Sequence, residues 1–319
     1  MSNPPAILVH LGAGVGNVVL ATPLLAALDR LGFEVDVALT ADYPETADLL
    51  RPWSAVRRVF HNDEAPDLTA YTHIVPTIPP FYWPRCAHRY VNDGRALRRP
   101  SDALFYENEQ AFYFSFAHAL GWAGDIPPAP ALPIAPATRA DVTAHTLVLG
   151  PGCKTGEMAT KRWPHFPDLA AHFAYVAVVG TRDDLLEKGG ASLAFPEHVR
   201  NMAGRLSLRE TAEVIASAGA FVGNDSGLSH IAAAVGTPSV MIFGPTPDRT
   251  LGRFPPNVRV LRRGLPCEPC WFNARFRACA SRIDCLVQVS VHAVVGLLEE
   301  LGFSETTYKR LESLKTGSC

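Results

Sequence analysis

The stretch Gly223-Asn224-Asp225-Ser226-Gly227-Leu228-Ser229-His230 decides the fold that we predict for this chain. An apolar run at residues 220–222 precedes it, and residues 231–235 continue it with the apolar pattern of a helix. A strand that breaks at such a turn and restarts as a helix directs free backbone N–H groups, and the positive helix end, at one point outside the sheet. That point suits a phosphate. The plainer alternative is a simple helix cap at Asp225 or Ser226.

Two further features of this region favour a ligand site over a simple cap. His230 follows Ser226 by four residues, so on a helix both side chains lie on one face. The turn Gly236-Thr237-Pro238 and a second apolar run at residues 239–243 come next. This order is typical of a parallel α/β sheet, whose ligands bind at the carboxyl ends of the strands.

The composition indicates a globular protein with enough apolar material for two domains. The chain has 319 residues, of which 48% are hydrophobic and 19% charged. A net charge of -2 without basic blocks argues against a nucleic-acid partner. The N-terminus lacks the pattern of a signal peptide, and no apolar run is long enough to cross a bilayer. We therefore expect a cytoplasmic protein.

The chain reads as two α/β halves joined by a proline-rich linker. The first half, residues 1–125, opens with a strand at 6–11, the turn Gly12-Ala13-Gly14-Val15-Gly16 and a helix at 18–31, and it includes a long aromatic helix at 102–120. Residues 126–145 are the linker. Residues 146–288 form the second half, and residues 289–319 a helical tail. Two doubly wound, Rossmann-like domains facing a cleft are the predicted architecture.

Several motifs follow one another in a characteristic order. They are the glycine-rich turn with residues 18–25 after it, Thr160-Lys161-Arg162-Trp163-Pro164, Ala203-Gly204-Arg205-Leu206-Ser207-Leu208, Gly223-Asn224-Asp225-Ser226-Gly227 with His230, and Gly236-Thr237-Pro238. Together they resemble glycosyltransferase family 9, the heptosyltransferases of the lipopolysaccharide inner core. The resemblance implies the GT-B fold, an inverting transfer and an ADP-heptose donor bound by residues 146–288.

The resemblance also assigns residues to the donor site. Lys161 is the catalytic candidate, because a fixed ammonium stabilises the charge that develops on a departing diphosphate. We assign Asp225 to sugar hydroxyls, since its charge would oppose a phosphate. The other donor-side candidates are Lys154, Thr155, Thr160, Leu206 as a wall of the base pocket or plain core, and Ser226, Gly227 and His230 around the pyrophosphate. Lysine and helix dipole together neutralise the leaving group, so we expect no magnesium requirement.

The acceptor-side turn, which contains Gly14 and Gly16, departs from the family at its next residue. The family has an aspartate there that is thought to act as general base, whereas this chain has Asn17, and an amide cannot accept that proton. One explanation is that Asn17 orients the acceptor while another group, such as His10, Asp42 or Glu107, takes the proton. A late proton transfer that needs no strong base is the second. The third is a protein that binds a nucleotide sugar without turnover.

Four cysteines crowd together near the end of the second half. Cys267 and Cys270 form a CxxC pair, and Cys279 and Cys285 follow within nineteen residues. Four thiolates at this spacing predict a structural iron or zinc site in a finger at residues 266–286, and buried thiols are the plainer alternative. A similar finger in the autotransporter heptosyltransferases of the family holds iron, which adds protein side chains to the acceptor classes.

These observations lead to one prediction and two alternatives. We predict an inverting glycosyltransferase, with Asn17 and Lys161 in the catalytic roles, that moves a sugar from a nucleoside diphosphate to an oligosaccharide, lipid-linked or protein acceptor. Peripheral contact with the inner membrane and an oligomeric assembly are compatible with this prediction. A non-catalytic nucleotide-sugar-binding protein is one alternative. An NAD-dependent oxidoreductase is the other, although the glycine turn lacks the third fingerprint residue and strand 33–39 has no acidic end.

Overall fold

The computed structural model describes residues 4–40, 42–61, 64, 66–90, 92–125, 130–137, 141–153, 161–186, 193–271, 279 and 283–304. The chain divides into two compact units. Unit 1 comprises Met1–Pro133 and Arg249–Phe254, and unit 2 comprises Ile134–Asp248 and Pro255–Cys319.

Unit 1 is built on a parallel sheet with strand order β3-β2-β1-β4. The strands are β1 (Ala6–Leu11), β2 (Glu34–Leu39), β3 (Arg58–Phe60) and β4 (His73–Pro76). Val9 at the centre of β1 pairs with Val37 on one side and Val75 on the other, and β1 is almost wholly buried. A continuous apolar strand of this kind is typical of parallel sheets that are covered on both faces. The helices of unit 1 are α1 (Val15–Leu20), α2 (Thr22–Arg30), α3 (Ala47–Leu50), α4 (Asp102–Glu107) and α5 (Glu109–Ala119).

Two helices that the sequence predicts as continuous are each divided in the structure. The predicted helix at 18–31 is α1 and α2, with Pro23 in the first turn of α2, where its missing N–H costs nothing. The predicted helix at 102–120 is α4 and α5. Asn108 between them is extended, and its side chain accepts a hydrogen bond from the Ala111 N–H at 2.9 Å. As a result, Glu109 opens a helix instead of lying within one.

Unit 2 is built on a second parallel sheet, with order β10-β9-β8-β5-β6-β7. Counted from β5, this is the Rossmann order 3-2-1-4-5-6. The strands are β5 (Leu147–Gly150), β6 (Val176–Val178), β7 (Arg200–Asn201), β8 (Ala220–Asn224), β9 (Ser239–Ile242) and β10 (Val258–Leu261). The helices are α6 (Phe166–Ala170), α7 (Leu208–Ser217), α8 (Gly227–Ala234), α9 (Asp284–Val287) and α10 (Val291–Glu300). The prediction of doubly wound α/β domains is therefore confirmed.

The tight packing of β5 against β8 depends on two paired glycines. Gly150 and Gly223 lie opposite each other, and a Cβ atom on either would come within 2.6–2.7 Å of the Phe221 ring. The fully buried Phe221 therefore fills the space that these glycines leave. The core on the other side of the sheet includes Trp163 and, from α10, Val294.

The division into units differs from the sequence-based boundaries in one place. Residues 249–254, which the sequence analysis assigns to the second half, pack with unit 1, where the Gln110 amide donates to the Arg253 carbonyl at 3.2 Å. The boundary at Pro133 falls inside the predicted linker, whose described part, residues 130–137, has no helix or strand. Of the predicted tail, α10 packs into the core of unit 2, and residues 305–319 lie outside the described residues. Within the described ranges, every helix is too short or too polar to span a bilayer.

Candidate functional site

The candidate donor site lies at the carboxyl ends of β5 and β8. These neighbouring strands are the first and fourth of the Rossmann order, so the strand order reverses between them. Connections leave such a switch point in opposite directions and open a crevice, which is where α/β sheets bind ligands. The turn quoted at the outset, with Asp225 and Ser226, follows β8 here.

Asn224, at the last position of β8, fixes the loops around this crevice. Its fully buried amide donates to the Pro151 carbonyl at 2.7 Å and accepts from the Trp163 N–H at 2.9 Å. The Trp163 indole N–H in turn donates to the Val289 carbonyl at 2.9 Å. Each of these groups is buried and hydrogen-bonded, which holds the backbone of the loops in one arrangement. Lys161, two residues before Trp163, is positioned by this anchor.

Lys161, Asp225 and His230 form a compact buried cluster. The Lys161 Nζ lies 2.8 Å from Oδ2 of Asp225, and the His230 Nε2 lies 3.6 Å from Oδ1. All three side chains are at most about a tenth exposed. Burial alone would raise the pKa of the Asp225 carboxyl, but Lys161 and then His230 lower it well below its ordinary value. The structure thus brings Lys161 and His230 together on the two oxygens of the Asp225 carboxylate.

The start of α8 supplies the second feature of a phosphate site. Ser226 occupies the N-cap position in an extended conformation, and its side chain makes no capping hydrogen bond. The N–H groups of Ser229 and His230 donate to the Ser226 carbonyl, so the helical hydrogen bonds begin there. A helix leaves its first N–H groups without intrahelical partners, and here these belong to Gly227 and Leu228. Ser226, Gly227 and Leu228 are half-exposed, whereas Ser229 and His230 are buried.

Of the remaining donor-side candidates, only Leu206 lies within the described residues. Leu206 is half-buried and stands before Ser207, which caps α7 by accepting from the Glu210 N–H at 3.2 Å. Its assignment to the base pocket stays a prediction. Lys154, Thr155 and Thr160 lie outside the described residues.

In unit 1, the glycine-rich turn after β1 packs against the end of β2. The Ala13 N–H donates to the Thr40 Oγ1 at 3.2 Å, and a Cβ atom on Gly12 would come within 2.2 Å of the Thr40 side chain. In a dinucleotide site, an acidic residue at the end of the second strand binds the ribose. Here Thr40 occupies that end and is itself packed onto the turn, which disfavours the NAD alternative.

Asn17, in the first turn of α1, is held by a buried carboxylate. Its Nδ2 donates to Oε1 of Glu109 at 2.7 Å, and the Tyr113 hydroxyl donates to the same oxygen at 2.7 Å. Glu109 is 5% exposed and Tyr113 2%. Burial, followed by the charge of Glu109, raises the pKa of Tyr113 well above its ordinary value, so the phenol remains a donor. Gly14, the N-cap residue of α1, is near enough that a Cβ atom there would lie 3.2 Å from the Asn17 Oδ1.

The three alternative bases that the sequence offered differ in their surroundings. His10 is 1% exposed, and burial followed by the charge of Arg89 lowers its pKa to about 3, so it is a weak proton acceptor. Its Nδ1 contacts the Tyr90 hydroxyl, and its Nε2 is buried without a hydrogen-bond partner among the described residues. Asp42 is exposed beside Tyr43, and Glu107 is exposed at the end of α4.

A cavity of about 500 Å³ opens in unit 1 at the end of β4. The rings of Trp83 and Tyr90 line it and stack 6.2 Å apart with an angle of 14° between their planes. Arg99 also lines it, with its guanidinium 4.3 Å from the Trp83 ring centroid and hydrogen-bonded to the Ile78 carbonyl. Aromatic faces beside fixed charges and hydrogen-bonding groups are suited to a polar organic ligand such as a sugar.

The four cysteines of the predicted finger lie within the described residues, whereas residues 272–278 and 280–282 between them do not. Cys270 and Cys285 are buried, and Cys267 and Cys279 are half-buried. Burial, followed by the charges of Glu268 and the other three cysteines, raises the pKa of Cys285 to about 12. Among the described residues, no three or more His, Cys, Asp or Glu side chains are arranged to hold a metal ion.

Sequence reasoning missed Glu109 and the anchoring role of Asn224 and Trp163. Asn224 and Trp163 stand inside quoted motifs, but the motifs indicated a role in the donor site only for the nearby Asp225 and Lys161. Glu109 was hidden inside a predicted aromatic helix. The sequence Asn108-Glu109, a capping residue followed by an acid, is the signal that a helix begins there.

Comparison with protein-family models places residues 129–277 in glycosyltransferase family 9 (heptosyltransferase). This segment contains the whole Lys161–Asp225–His230 cluster. Lipooligosaccharide heptosyltransferase 2 of Haemophilus influenzae is 37% identical over 149 residues, which covers 39% of this chain and 42% of the relative. The chain thus matches less than half the length of this curated relative.

Solved structures extend the likeness to nearly the whole fold. The family 9 glycosyltransferase of Veillonella parvula superposes with a TM-score of 0.73 at 16% identity, covering 94% of this chain and 98% of that one. The dodecameric, iron-containing heptosyltransferase TibC of enterotoxigenic Escherichia coli, solved with ADP-D-beta-D-heptose, has a TM-score of 0.67 at 17% identity, covering 95% of this chain and 77% of that one. The resemblance inferred from the motifs is confirmed.

Proposed function

We propose that this chain, which belongs to glycosyltransferase family 9, transfers a heptose from ADP-heptose to an acceptor hydroxyl with inversion at the anomeric carbon. In the reaction, the acceptor oxygen forms a bond to the anomeric carbon while the bond from that carbon to the diphosphate oxygen breaks. The electron pair leaves with the diphosphate, and the hydroxyl proton passes to a base. The observation that carries the proposal is the Lys161–Asp225–His230 cluster at the switch point of unit 2.

The cluster supplies what a departing diphosphate requires. The Lys161 ammonium is fixed by Asp225 at 2.8 Å instead of moving freely in solvent, so little reorganisation is needed as charge develops. The first N–H groups of α8 add a partial positive charge at the same crevice. Asp225 is ionised and suited to accept hydrogen bonds from sugar hydroxyls while it holds the ammonium. His230 packs beside the carboxylate, one turn into the helix.

The acceptor is assigned to unit 1. The cavity that Trp83 and Tyr90 line offers ring faces of the kind on which sugars pack, and the Arg99–Asp102 ion pair at its wall, with atoms 2.9 Å apart, offers hydrogen-bonding groups to a saccharide. Lipid-linked oligosaccharides and protein hydroxyls are the two acceptor classes that we consider. We place the reaction in the cytoplasm, whose reducing medium keeps the cysteines as thiols, with peripheral contact to the inner membrane when the acceptor is lipid-linked.

The test is a binding and transfer screen with ADP-, UDP-, GDP- and dTDP-linked sugars, including ADP-heptose. Calorimetry gives the dissociation constant of each donor, and nucleoside diphosphate release in the presence of a heptose-free lipopolysaccharide core gives transfer. The proposal expects ADP-heptose to bind at least tenfold more tightly than the other donors and to release ADP. Binding without release would instead support the alternative of a nucleotide-sugar-binding protein. Failure of every donor to bind would contradict both.

For Cys267, Cys270, Cys279 and Cys285 we propose a structural metal site that holds iron or zinc. Four soft thiolate ligands within nineteen residues support it, as does the iron in TibC, to which the fold is similar. Elemental analysis of protein purified without added metal should find about one equivalent. Substitution of Cys270 by serine should remove it, whereas substitution of Cys86 in unit 1 should not. A metal-free protein whose four thiols titrate freely would contradict the site.

A further inference from the structure

The proposed transfer releases a proton from the acceptor hydroxyl, and the glycine-rich turn offers no base to take it. The acceptor hydroxyl must lose its proton as its oxygen bonds to the anomeric carbon. Asn17 stands at the head of α1, at the carboxyl end of the central strand of unit 1, where α/β sheets bind ligands. Its amide has no lone pair that can take a proton near neutral pH. A base must therefore come from another element.

The geometry points to Glu109: we propose that its carboxylate takes the proton from the acceptor hydroxyl and that Asn17 orients that hydroxyl. This inference rests on the proposed function and names the base for it. The Asn17 Nδ2 lies 2.7 Å from Oε1 of Glu109, so the carboxylate is one hydrogen bond away from the turn residue. The group that position 17 lacks is thus present on the first turn of α5.

The surroundings of Glu109 keep it in place. Asn17 and Tyr113 both donate to the same oxygen, which fixes the carboxylate plane, and a carboxylate that accepts two hydrogen bonds is stabilised in its charged form. Arg99, whose guanidinium lies 5.1 Å from the Phe112 ring on α5, adds a positive charge to this face of the helix.

The amide of Asn17 has a defined orientation because of this contact. A carboxylate accepts hydrogen bonds, so the NH₂ side of the amide faces Glu109, and the carbonyl Oδ1 points away from it. That oxygen is suited to accept a hydrogen bond from a neighbouring hydroxyl of the incoming sugar, which sets the reacting hydroxyl against the carboxylate. When the new bond to the anomeric carbon forms, the proton moves to Glu109 and the diphosphate leaves. Atoms and charges balance without a further reactant.

The experiment compares the wild type with Glu109→Gln, Asn17→Asp, and the double variant Asn17→Asp with Glu109→Gln. Each is assayed for ADP release from ADP-heptose with a heptose-free lipopolysaccharide core across the pH range. We expect Glu109→Gln to lower kcat about 10²–10⁴-fold, the usual worth of a general base, and to remove the acidic limb of the pH–rate profile. Its dissociation constant for ADP-heptose should stay within about twofold.

The double variant separates a base from a structural residue. It returns a carboxylate to the same hydrogen-bonded pair with the partners exchanged. Its kcat should therefore be at least tenfold higher than that of Glu109→Gln. Asn17→Asp alone sets two carboxylates in contact, which raises the pKa of one of them and should move the acidic limb to higher pH. Glu45→Gln, exposed between β2 and α3, is the matched control and should keep kcat within about twofold.

Three results would overturn the assignment. One is a Glu109→Gln variant whose kcat lies within threefold of that of the wild type. Another is a loss that the double variant does not restore, and the third is an acidic limb that survives Glu109→Gln. A wild type that binds ADP-heptose but transfers nothing is a different outcome, because it removes the proposed function before any variant is made.

Discussion

In unit 1, the amide of Asn17 follows strand β1 and contacts the carboxylate of Glu109. In unit 2, the ammonium of Lys161 follows β5, and the carboxylate of Asp225 and the imidazole of His230 follow β8. Asn17 and Asp225 each stand where a strand passes through a turn into a helix, and Glu109 and Lys161 contact them from other parts of the same unit. The family match covers residues 129–277 and therefore only the residues of unit 2. The difference teaches that the matched similarity follows the Lys161–Asp225–His230 cluster, whereas the Asn17–Glu109 pair lies outside the matched segment.

The donor side is where a single substitution should have the largest effect. Lys161→Gln removes the fixed ammonium beside the leaving group, and we expect it to lower kcat/KM for ADP-heptose about 10²–10³-fold, as for loss of one donor at a charge-stabilising site. It also leaves Asp225 buried without its cation, which should destabilise unit 2 by about 3–5 kcal/mol. Steady-state kinetics and thermal unfolding measure the two effects.

A pair of controls separates catalysis from stability in that experiment. Adding Asp225→Asn to Lys161→Gln removes the unpaired charge, so it should restore much of the thermal stability without restoring activity. Arg51→Gln breaks an exposed pair with Asp48, whose atoms are 2.9 Å apart, and should change neither activity nor stability measurably. A Lys161→Gln enzyme whose kcat/KM lies within threefold of that of the wild type would show that the cluster does not stabilise the leaving group.

The same comparison shows how far the sequence could predict the molecule. Strand β1 matches its predicted bounds, and the Rossmann order of unit 2 follows from alternating apolar strands and helices with short turns. Lys161, Asp225 and His230 could be found because each stands in a motif whose spacing is local. Their contact through the Asp225 carboxylate is a consequence of β5 and β8 being neighbours, which the predicted wiring already implies.

The acceptor side resisted prediction for a physical reason. Asn17 and Glu109 are 92 residues apart, and the contact between them depends on where α5 begins. The run of aromatic residues after Asp102 reads as one continuous helix, because the apolar periodicity hides a cap at Asn108. Moving a helix start by one residue rotates each side chain by about 100°, so the facing of Glu109 could not be read from the sequence alone.

We expect acid to destabilise unit 1 more than unit 2, by an amount smaller than the loss of stability expected for Lys161→Gln. The pKa of His10 is about 3 in the folded protein and about 6.5 when unfolded, so the unfolded chain binds the extra proton between these values. Stability of unit 1 is therefore full above about pH 6.5 and falls as the pH drops toward 3. At pH 5 the loss is about 2 kcal/mol, from about 1.5 pH units at about 1.4 kcal/mol each. Amide exchange of β1 and β4 measures it.

Unit 2 supplies the internal reference for that measurement. The pKa of Asp225 is lowered from 3.8, so its contribution is complete above that value and is lost only as the pH falls below it. Protection of the β5 and β8 amides should hence change little from this group between pH 7 and pH 5. His10→Gln, which cannot titrate, should flatten the response of unit 1. Equal loss of protection in both units, or an unchanged response in His10→Gln, would rule out His10 as the cause.

The smallest effect tests whether the start of α5 matters for chemistry or only for stability. Asn108 caps α5 through the Ala111 N–H at 2.9 Å, and Ser290 caps α10 through the Ala293 N–H at 3.2 Å. Either residue changed to alanine should cost about 1 kcal/mol of stability. Only Asn108→Ala loosens the turn that carries Glu109, so it alone should lower kcat, by about tenfold, because small displacements of a reacting group are costly. If both variants lost the same stability and neither lost activity, the cap would not position the base, and the Asn17 contact would have to hold Glu109 by itself.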